Sequence, residues 1–299
     1  MNEVNKFGLK RRPNSDVRRT IRKNSGFGCV VCGLAIGDYE HVDPTYANAR
    51  THDPNCMTFL CIRCHGKVTR GQLSKNSVTN AMREPAALRA GFSFEALDVG
   101  NTVPTIHIGP MSVKDCQSII LVNSRPVLWV QTPEEAGGPV RIGAEIRNEQ
   151  GELIFSIVDN EWRVQNESWD VEVIGKTTTI RNGPGEIALV IRTEPPGDLY
   201  VDRMDMSIEG YRFWIQSGDL YIRLPDGNTL RAEELNFVGC TGAIVADNSG
   251  LRFGVGGGMV MLSMEGKNRT SRVIDTSRSR NAVCACGSGK RFKHCCGSF

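Results

Sequence analysis

The chain lacks a long apolar segment. None of its 299 residues lies in a run of about 18 apolar side chains, the length that a membrane-spanning helix requires. The beginning of the sequence is polar and basic, without the apolar stretch of a secretory signal peptide. We therefore expect a cytoplasmic protein that has no membrane partner.

A disulfide framework is also missing, although the chain contains 11 cysteines. Most of them fall into two short clusters, and only Cys56, Cys116 and Cys240 stand apart. Clustered cysteines are typical of zinc sites in a reducing compartment. The spacing therefore predicts two structural zinc sites.

A strong overall charge is absent, because 36 basic residues nearly balance 33 acidic ones. The distribution along the chain is uneven. Residues 101–265 carry 13 basic and 23 acidic side chains, whereas residues 1–25 carry eight basic and two acidic ones. The middle of the protein should repel a phosphate backbone, and the beginning should attract one.

The first cysteine cluster encloses a group of polar residues. Two Cys-x-x-Cys pairs, Cys29/Cys32 and Cys61/Cys64, have the spacing that lets four thiolates share one tetrahedral zinc ion. The interval between the pairs carries Tyr39-Glu40-His41-Val42-Asp43-Pro44, and His65 follows the last cysteine. An imidazole that titrates near ~6.5 suits a general base, and a carboxylate with a second imidazole suits a divalent cation.

Residues 27–75 resemble the HNH endonuclease family, also called His-Me finger nucleases. In that family an acidic residue, His and Pro lie on a hairpin, and Leu-Cys-x-x-Cys-His opens a helix. The resemblance implies a zinc-braced ββα-metal unit in which His41 is the general base. It also implies that Glu40 and His65 hold a catalytic Mg or Mn. The family's usual Asn is replaced by Cys56, so either the neighbouring Asn55 braces the base or this brace is lost.

Two interpretations of this segment remain open. The first is the nuclease unit just described. If Glu40 and His41 are instead solvated loop residues, the cysteines form a structural zinc site in a non-catalytic nucleic-acid-binding or protein adaptor module.

Two neighbouring features have simpler interpretations as well. His52 is interpreted as a surface or hydrogen-bonding residue outside the site. The basic arm before the cysteines is either a DNA-contacting element or a solvated tail or helix. We predict DNA contacts from six side chains: Arg11, Arg12, Arg18, Arg19, Arg22 and Lys23.

The sequence after Gly71 predicts one or two short helices, broken before Pro85 and ended at Gly91. Beyond them, apolar residues alternate with polar ones. A hairpin is predicted from residues 140–146 and 153–157 around a turn at Gln150-Gly151, and another around Ser217-Gly-Asp. The pattern indicates an antiparallel β sandwich, with a β-solenoid or barrel as alternatives. The four tryptophans of this region are expected in its core.

The C-terminal segment contains a second cysteine cluster. Its string CACGSGKRFKHCCG resembles the SEC-C zinc motif over residues 281–299, which implies a zinc knuckle held by Cys284, Cys286, Cys295 and Cys296. So few residues cannot fold without metal. A compact basic patch on this motif suits a protein partner or nucleic acid.

These features predict an α+β multi-domain protein. The expected parts are a basic N-terminal arm (1–25), an HNH nuclease domain with flanking helices (26–100), an all-β domain (101–265), a basic linker (266–283) and a SEC-C-like zinc motif (284–299). We expect a metal-dependent enzyme that hydrolyses DNA phosphodiester bonds, by analogy in restriction or phage defence. A protein partner is expected through the C-terminal motif or the β domain.

Overall fold

A computed structural model describes residues 4–100, 102–135, 137–232 and 234–262, together with Arg291. The chain divides into two compact units, Met1–Ser263 and Met264–Phe299. The predicted linker and the four cysteines of the C-terminal motif lie outside the described residues.

The first hundred residues contain short helices and one small hairpin. In chain order the elements are α1 (Ser15–Asn24), β1 (Asp38–His41), a 3-10 helix (Tyr46–Asn48), β2 (Met57–Leu60), α2 (Ile62–Thr69), α3 (Lys75–Arg83), α4 (Ala86–Ala90) and β3 (Phe92–Ala96). Asn14 caps α1, and its side chain accepts a hydrogen bond from the Val17 N–H. Pro85 precedes α4 and Gly91 ends it in a left-handed conformation, so the predicted helices and their boundaries are confirmed.

The remaining described residues are almost entirely β-strand. The strands up to the middle of the chain are β4 (Thr105–Ile108), β5 (Met111–Lys114), β6 (Ser118–Val122), β7 (Arg125–Gln131), β8 (Arg141–Arg147), β9 (Leu153–Val158), β10 (Glu161–Gln165), β11 (Asp170–Ile174) and β12 (Thr177–Gly183). The later strands are β13 (Glu186–Glu194), β14 (Asp198–Ile208), β15 (Tyr211–Gln216), β16 (Asp219–Arg223), β17 (Thr229–Ala232), β18 (Leu235–Val238), β19 (Gly242–Asp247), β20 (Gly250–Val255) and β21 (Met259–Leu262).

These strands form two large sheets around one core. The first sheet has the order β20-β19-β6-β7-β8-β9-β10-β3. The second has the order β11-β12-β13-β14-β4-β5-β18-β21, and β15, β16 and β17 extend from β14. Buried side chains from both sheets, such as Phe155 of β9 and Phe213 of β15, belong to a single apolar cluster. This region is therefore a large all-β domain of two sheets around one core, which we call the sandwich.

The predicted hairpins are confirmed, but two features of the sandwich differ from the prediction. β8 pairs with β9 and β15 pairs with β16, each across its predicted turn. The sheets are not purely antiparallel, because β4, β5 and β6 each pair in parallel with a strand from later in the chain. Moreover, β3 lies within the predicted nuclease domain and pairs with β10 of the sandwich. Residue 100 is therefore not a boundary between structural units.

The tryptophans divide between the core and the surface. Trp162 is 6% exposed and stacks against Phe155, as expected for a core residue. Trp129, Trp169 and Trp214 are only half-buried. The core prediction is thus confirmed for Trp162 and wrong for the other three.

Candidate functional site

The β1–β2 hairpin carries the predicted acidic residue and the predicted base. Glu40 pairs with Thr58 and His41 pairs with Met57 across the two strands. Because successive strand residues point to opposite faces, His41 shares its face with Met57, which packs against Ile21 of α1. Glu40 lies on the other face, toward α2. The side chains of Glu40 and His41 therefore lie on opposite faces of the hairpin, on either side of its end.

Glu40 and His65 are in direct contact. The Oε2 atom of Glu40 is 3.0 Å from Nε2 of His65, and both side chains are partly open to solvent. Adjacent ligand atoms of an octahedral ion with bonds of about 2.1 Å are ~3.0 Å apart. The carboxylate and the imidazole therefore have the chemistry and the spacing of two neighbouring ligands of a divalent cation.

The four cysteines of the first cluster come together beside this pair. Their sulfur atoms all lie within 4.8 Å of one another, with Cys32 Sγ 3.6 Å from Cys61 Sγ and 3.8 Å from Cys64 Sγ. Zinc–sulfur bonds of about 2.3 Å place tetrahedral sulfur atoms ~3.8 Å apart. Burial raises the pKa of the Cys64 thiol to about 11, so a cation is needed to stabilise its thiolate. The geometry fits a closed, structural zinc site.

Local backbone features shape this cysteine cluster. Cys61 is the N-cap of α2, and its sulfur accepts a hydrogen bond from the Cys64 N–H. The first pair lies on a tight turn in which the Cys29 N–H donates to the Leu34 carbonyl. A Cβ atom on Gly28 would lie 2.4 Å from the Gly33 carbonyl oxygen, so only glycine fits there.

His41 contacts a residue that the sequence analysis placed outside the site. Nε2 of His41 is 3.0 Å from Nδ1 of His52, and Nε2 of His52 is 2.9 Å from the Lys10 carbonyl oxygen. His41 is only 6% exposed. Burial lowers its pKa to about 4, with further lowering by the charges of His52, Arg11 and Lys75. His41 is therefore a neutral imidazole at neutral pH.

His52 and Asn55 both lie in the loop after the predicted base. His52 was interpreted as a surface or hydrogen-bonding residue, and its ring is hydrogen-bonded to the predicted base. A sequence signal was present, since His52 lies in the loop that joins the two strands of the hairpin. Asn55 is exposed, its N–H donates to Asp53 Oδ1, and it lines a cavity of about 570 Å³ together with Lys23. Its bracing role stays a prediction.

The N-terminal arm lies against this same loop. The Asn5 side chain donates to the carbonyl oxygens of Tyr46 and Ala49, both at 2.7 Å. The Tyr46 hydroxyl in turn donates to the Leu9 carbonyl, and the Arg11 guanidinium lies 4.7 Å from the Tyr46 ring centroid. Arg11 and Arg12 are exposed. The arm thus places the cationic side chain of Arg11 near His41.

Three of the six residues predicted to contact DNA turn toward the sandwich instead. Arg22 is 5% exposed, and its guanidinium donates to both carboxylate oxygens of Asp170 at 2.8 Å. Arg18 pairs with Glu172 at 3.4 Å, and the Arg19 guanidinium lies 3.5 Å above the Trp169 ring. Arg22 is therefore excluded as a phosphate ligand by its burial. Arg18 and Arg19 attach α1 to the sandwich. The other three predicted DNA contacts, Arg11, Arg12 and Lys23, are exposed.

The comparison with known proteins gives one match. Residues 280–298 match the family model of the SEC-C motif. No curated protein and no solved structure matches the chain. The SEC-C match and the four clustered cysteines together point to zinc binding. None of the helices in the described ranges has both the length and the apolar character needed to cross a lipid bilayer.

Proposed function

We propose that this protein is a metal-dependent endonuclease of the HNH type, which hydrolyses phosphodiester bonds in DNA. The observation that carries the proposal is the 3.0 Å contact between Glu40 and His65, one residue away from a neutral, buried His41. A divalent ion held by Glu40 and His65 would neutralise charge on the phosphate and on the departing oxygen. Magnesium and manganese are both compatible with this pair of ligands.

His41 supplies the general base. Its lowered pKa of about 4 leaves the imidazole unprotonated near neutral pH, so it is ready to accept a proton from water. Burial is the largest cause of the lowered pKa, and the positive charges of Arg11 and Lys75 lower it further. The same charges attract a phosphate group to this end of the hairpin. Glu40 and His41 flank the hairpin end, which matches a phosphate lying between base and metal.

The rest of the chain supports and directs this unit. Zinc bound by Cys29, Cys32, Cys61 and Cys64 would hold the hairpin against α2 and would have a structural rather than a catalytic role. The sandwich and the SEC-C motif are the parts that recognise a partner, and the basic segment around the motif suits an acidic protein surface or DNA. Restriction or phage defence is the setting that an HNH unit joined to a recognition domain would serve.

The test is cleavage of supercoiled plasmid by the purified full-length protein with Mg²⁺ or Mn²⁺. His41→Ala should reduce the cleavage rate by ~10²–10⁴-fold while zinc content and thermal unfolding stay unchanged, because the cysteines brace the hairpin independently. His107→Ala, which removes a half-buried histidine of the sandwich, is the matched control and should cleave at the parental rate.

Two outcomes would reject the proposal. If the His41→Ala variant cleaves as fast as the parent, another group is the base or the nuclease is a contaminant. If the parent binds DNA or a protein partner but cleaves nothing with either metal, the non-catalytic adaptor is the better description.

A further inference from the structure

We propose that His52 is a positioning residue that fixes the tautomer of His41, with the proton on Nε2 and the lone pair on Nδ1. The contacts are the 3.0 Å distance between His41 Nε2 and His52 Nδ1 and the 2.9 Å distance between His52 Nε2 and the Lys10 carbonyl oxygen. The catalytic meaning of this arrangement rests on the proposed function. The tautomer itself does not, and it can be measured without any substrate.

The assignment begins at the backbone of the N-terminal arm. A carbonyl oxygen only accepts hydrogen bonds, so Nε2 of His52 must carry the proton in that contact. A neutral imidazole has one protonated nitrogen, which leaves Nδ1 of His52 as an acceptor. Nε2 of His41 must then be the donor. By the same rule, Nδ1 of a neutral His41 carries the free lone pair.

The surroundings keep the His41 ring in place. The His41 ring is packed beside the rings of Tyr46 and His52, with centroids 5.7 Å and 5.2 Å away. With the residue only 6% exposed, rotation that would exchange its two nitrogens would require the neighbouring rings to move.

The arrangement defines the proton movement in the hydrolytic step. An O–H bond of water breaks and an N–H bond forms at Nδ1 of His41, while the resulting hydroxide forms a new bond to phosphorus. The bond from phosphorus to the departing oxygen breaks, and that oxygen keeps the electron pair and takes up a proton from solvent. The proton on Nε2 stays where it is. Its hydrogen bond to His52 becomes charge-assisted as His41 gains charge, and such bonds are stronger than neutral ones. The tautomer with the proton on Nδ1 could not accept the water proton there.

The tautomer can be read from long-range ¹H–¹⁵N correlation spectra of the ¹⁵N-histidine-labelled full-length protein at neutral pH. We expect Nδ1 of His41 to show the shift of an unprotonated nitrogen and Nε2 that of a protonated one. His52→Phe keeps a ring but removes both nitrogens, so His41 should become a mixture of tautomers. His52→Asn offers a carbonyl oxygen near the position of Nδ1 and should restore the parental tautomer.

The kinetic experiment uses the same two His52 variants. His52→Phe should lower kcat for plasmid cleavage by about 10–100-fold, the usual range for losing an outer partner of a site, with KM for DNA nearly unchanged. His52→Asn should recover most of the loss. His107→Phe is the matched control in the sandwich and should change neither readout.

The failures of the two proposals are distinguishable. A parental protein that shows the expected tautomer but never cleaves DNA would reject the endonuclease and leave the tautomer assignment standing. A parental His41 protonated on Nδ1 would overturn the role of His52 whatever the activity. So would a His52→Phe variant that keeps both the parental tautomer and the parental kcat.

Discussion

The hairpin with its cysteine cluster and the β sandwich differ most in what fills their interiors. The apolar cluster around the cysteines contains seven buried residues among those described, and three of these are the ligands Cys29, Cys61 and Cys64. The sandwich cluster contains 42. The sandwich therefore has the apolar burial that can offset the conformational entropy of folding, and the hairpin does not.

This difference explains how one chain can carry a polar site on a stable support. Residues 28–71 use cysteines where a larger domain would use aliphatic side chains, which leaves the strands free to carry Glu40 and His41. Zinc at the four cysteines would supply the missing stabilisation, because metal binding in such small units is coupled to folding. We therefore expect that different changes will unfold the hairpin and the sandwich.

Loss of the zinc at the first cysteine cluster should have the largest effect, and within the described residues this effect should be confined to the hairpin. Structural zinc contributes about 10–16 kcal/mol of apparent binding energy in small zinc domains. We therefore expect Cys61→Ser to lose one of two bound zinc ions and to abolish hydrogen-exchange protection of β1 and β2. Strands β12 to β14 should remain protected. Zinc analysis and hydrogen exchange by mass spectrometry provide the measurement.

The control for this variant is Cys56→Ser, which changes a cysteine of the same loop that lies outside the cluster. It should keep both zinc ions and the parental exchange pattern. Persistent protection of β1 and β2 in a zinc-free Cys61→Ser protein would show that apolar packing alone holds the hairpin, against the contrast drawn above.

Breaking the connection between the two regions should cost less. Asp170→Ala would leave the buried Arg22 guanidinium without the carboxylate that binds it, and removing one partner of a buried ion pair costs about 3–5 kcal/mol. Glu172, which also pairs with Arg22, would offset part of this loss. Arg181 would not, because it is a second cation that loses its contact with Asp170. Denaturant unfolding monitored in the sandwich and in α1 would measure it.

Glu134→Ala is the matched control, since it removes an exposed carboxylate that pairs with Arg141 on the sandwich surface. Exposed pairs contribute little, so its unfolding curve should overlay that of the parent. Equal effects of the two substitutions would mean that Arg22 reaches solvent, and α1 would then be available to DNA as the sequence analysis expected.

The smallest effect should come from the cap of α1. Asn14→Ala removes the side chain that accepts from the Val17 N–H at 2.9 Å, which should destabilise the protein by ~1 kcal/mol. Asn14→Asp retains the acceptor and adds a favourable charge at the helix N-terminus, so it should be neutral or slightly stabilising. If the two variants unfold alike in denaturant, the helix does not depend on this cap.

The sequence predicted those features that depend on nearby residues. The cysteine pairs, the hairpin–helix order around Glu40, the end of α4 at Gly91 and the hairpin around Gly218 each depend on residues a few positions apart. The contact of Glu40 with His65 followed from a family resemblance rather than from spacing. Such short-range signals identify elements and candidate ligands.

Contacts between distant parts of the chain had no such signal. Arg22 and Asp170 are 148 positions apart, and neither residue type indicates that the other will be buried beside it. A run of basic residues predicts a solvated or phosphate-binding surface equally well. The parallel pairing of β4 with β14 and the inclusion of β3 in the sandwich likewise depend on tertiary packing, which residue alternation does not encode.

The contact between His52 and the Lys10 carbonyl depends on the number of residues between Asn5 and position 10, and hardly on which residue occupies position 10. Every amino acid at position 10 offers the same oxygen, so substitution there leaves the acceptor in place. An insertion or deletion between Asn5 and Lys10 is different. Because Asn5 is hydrogen-bonded to Tyr46 and Ala49, such a change would bring a different carbonyl, or none, to His52. This segment should therefore tolerate substitutions but not changes in length.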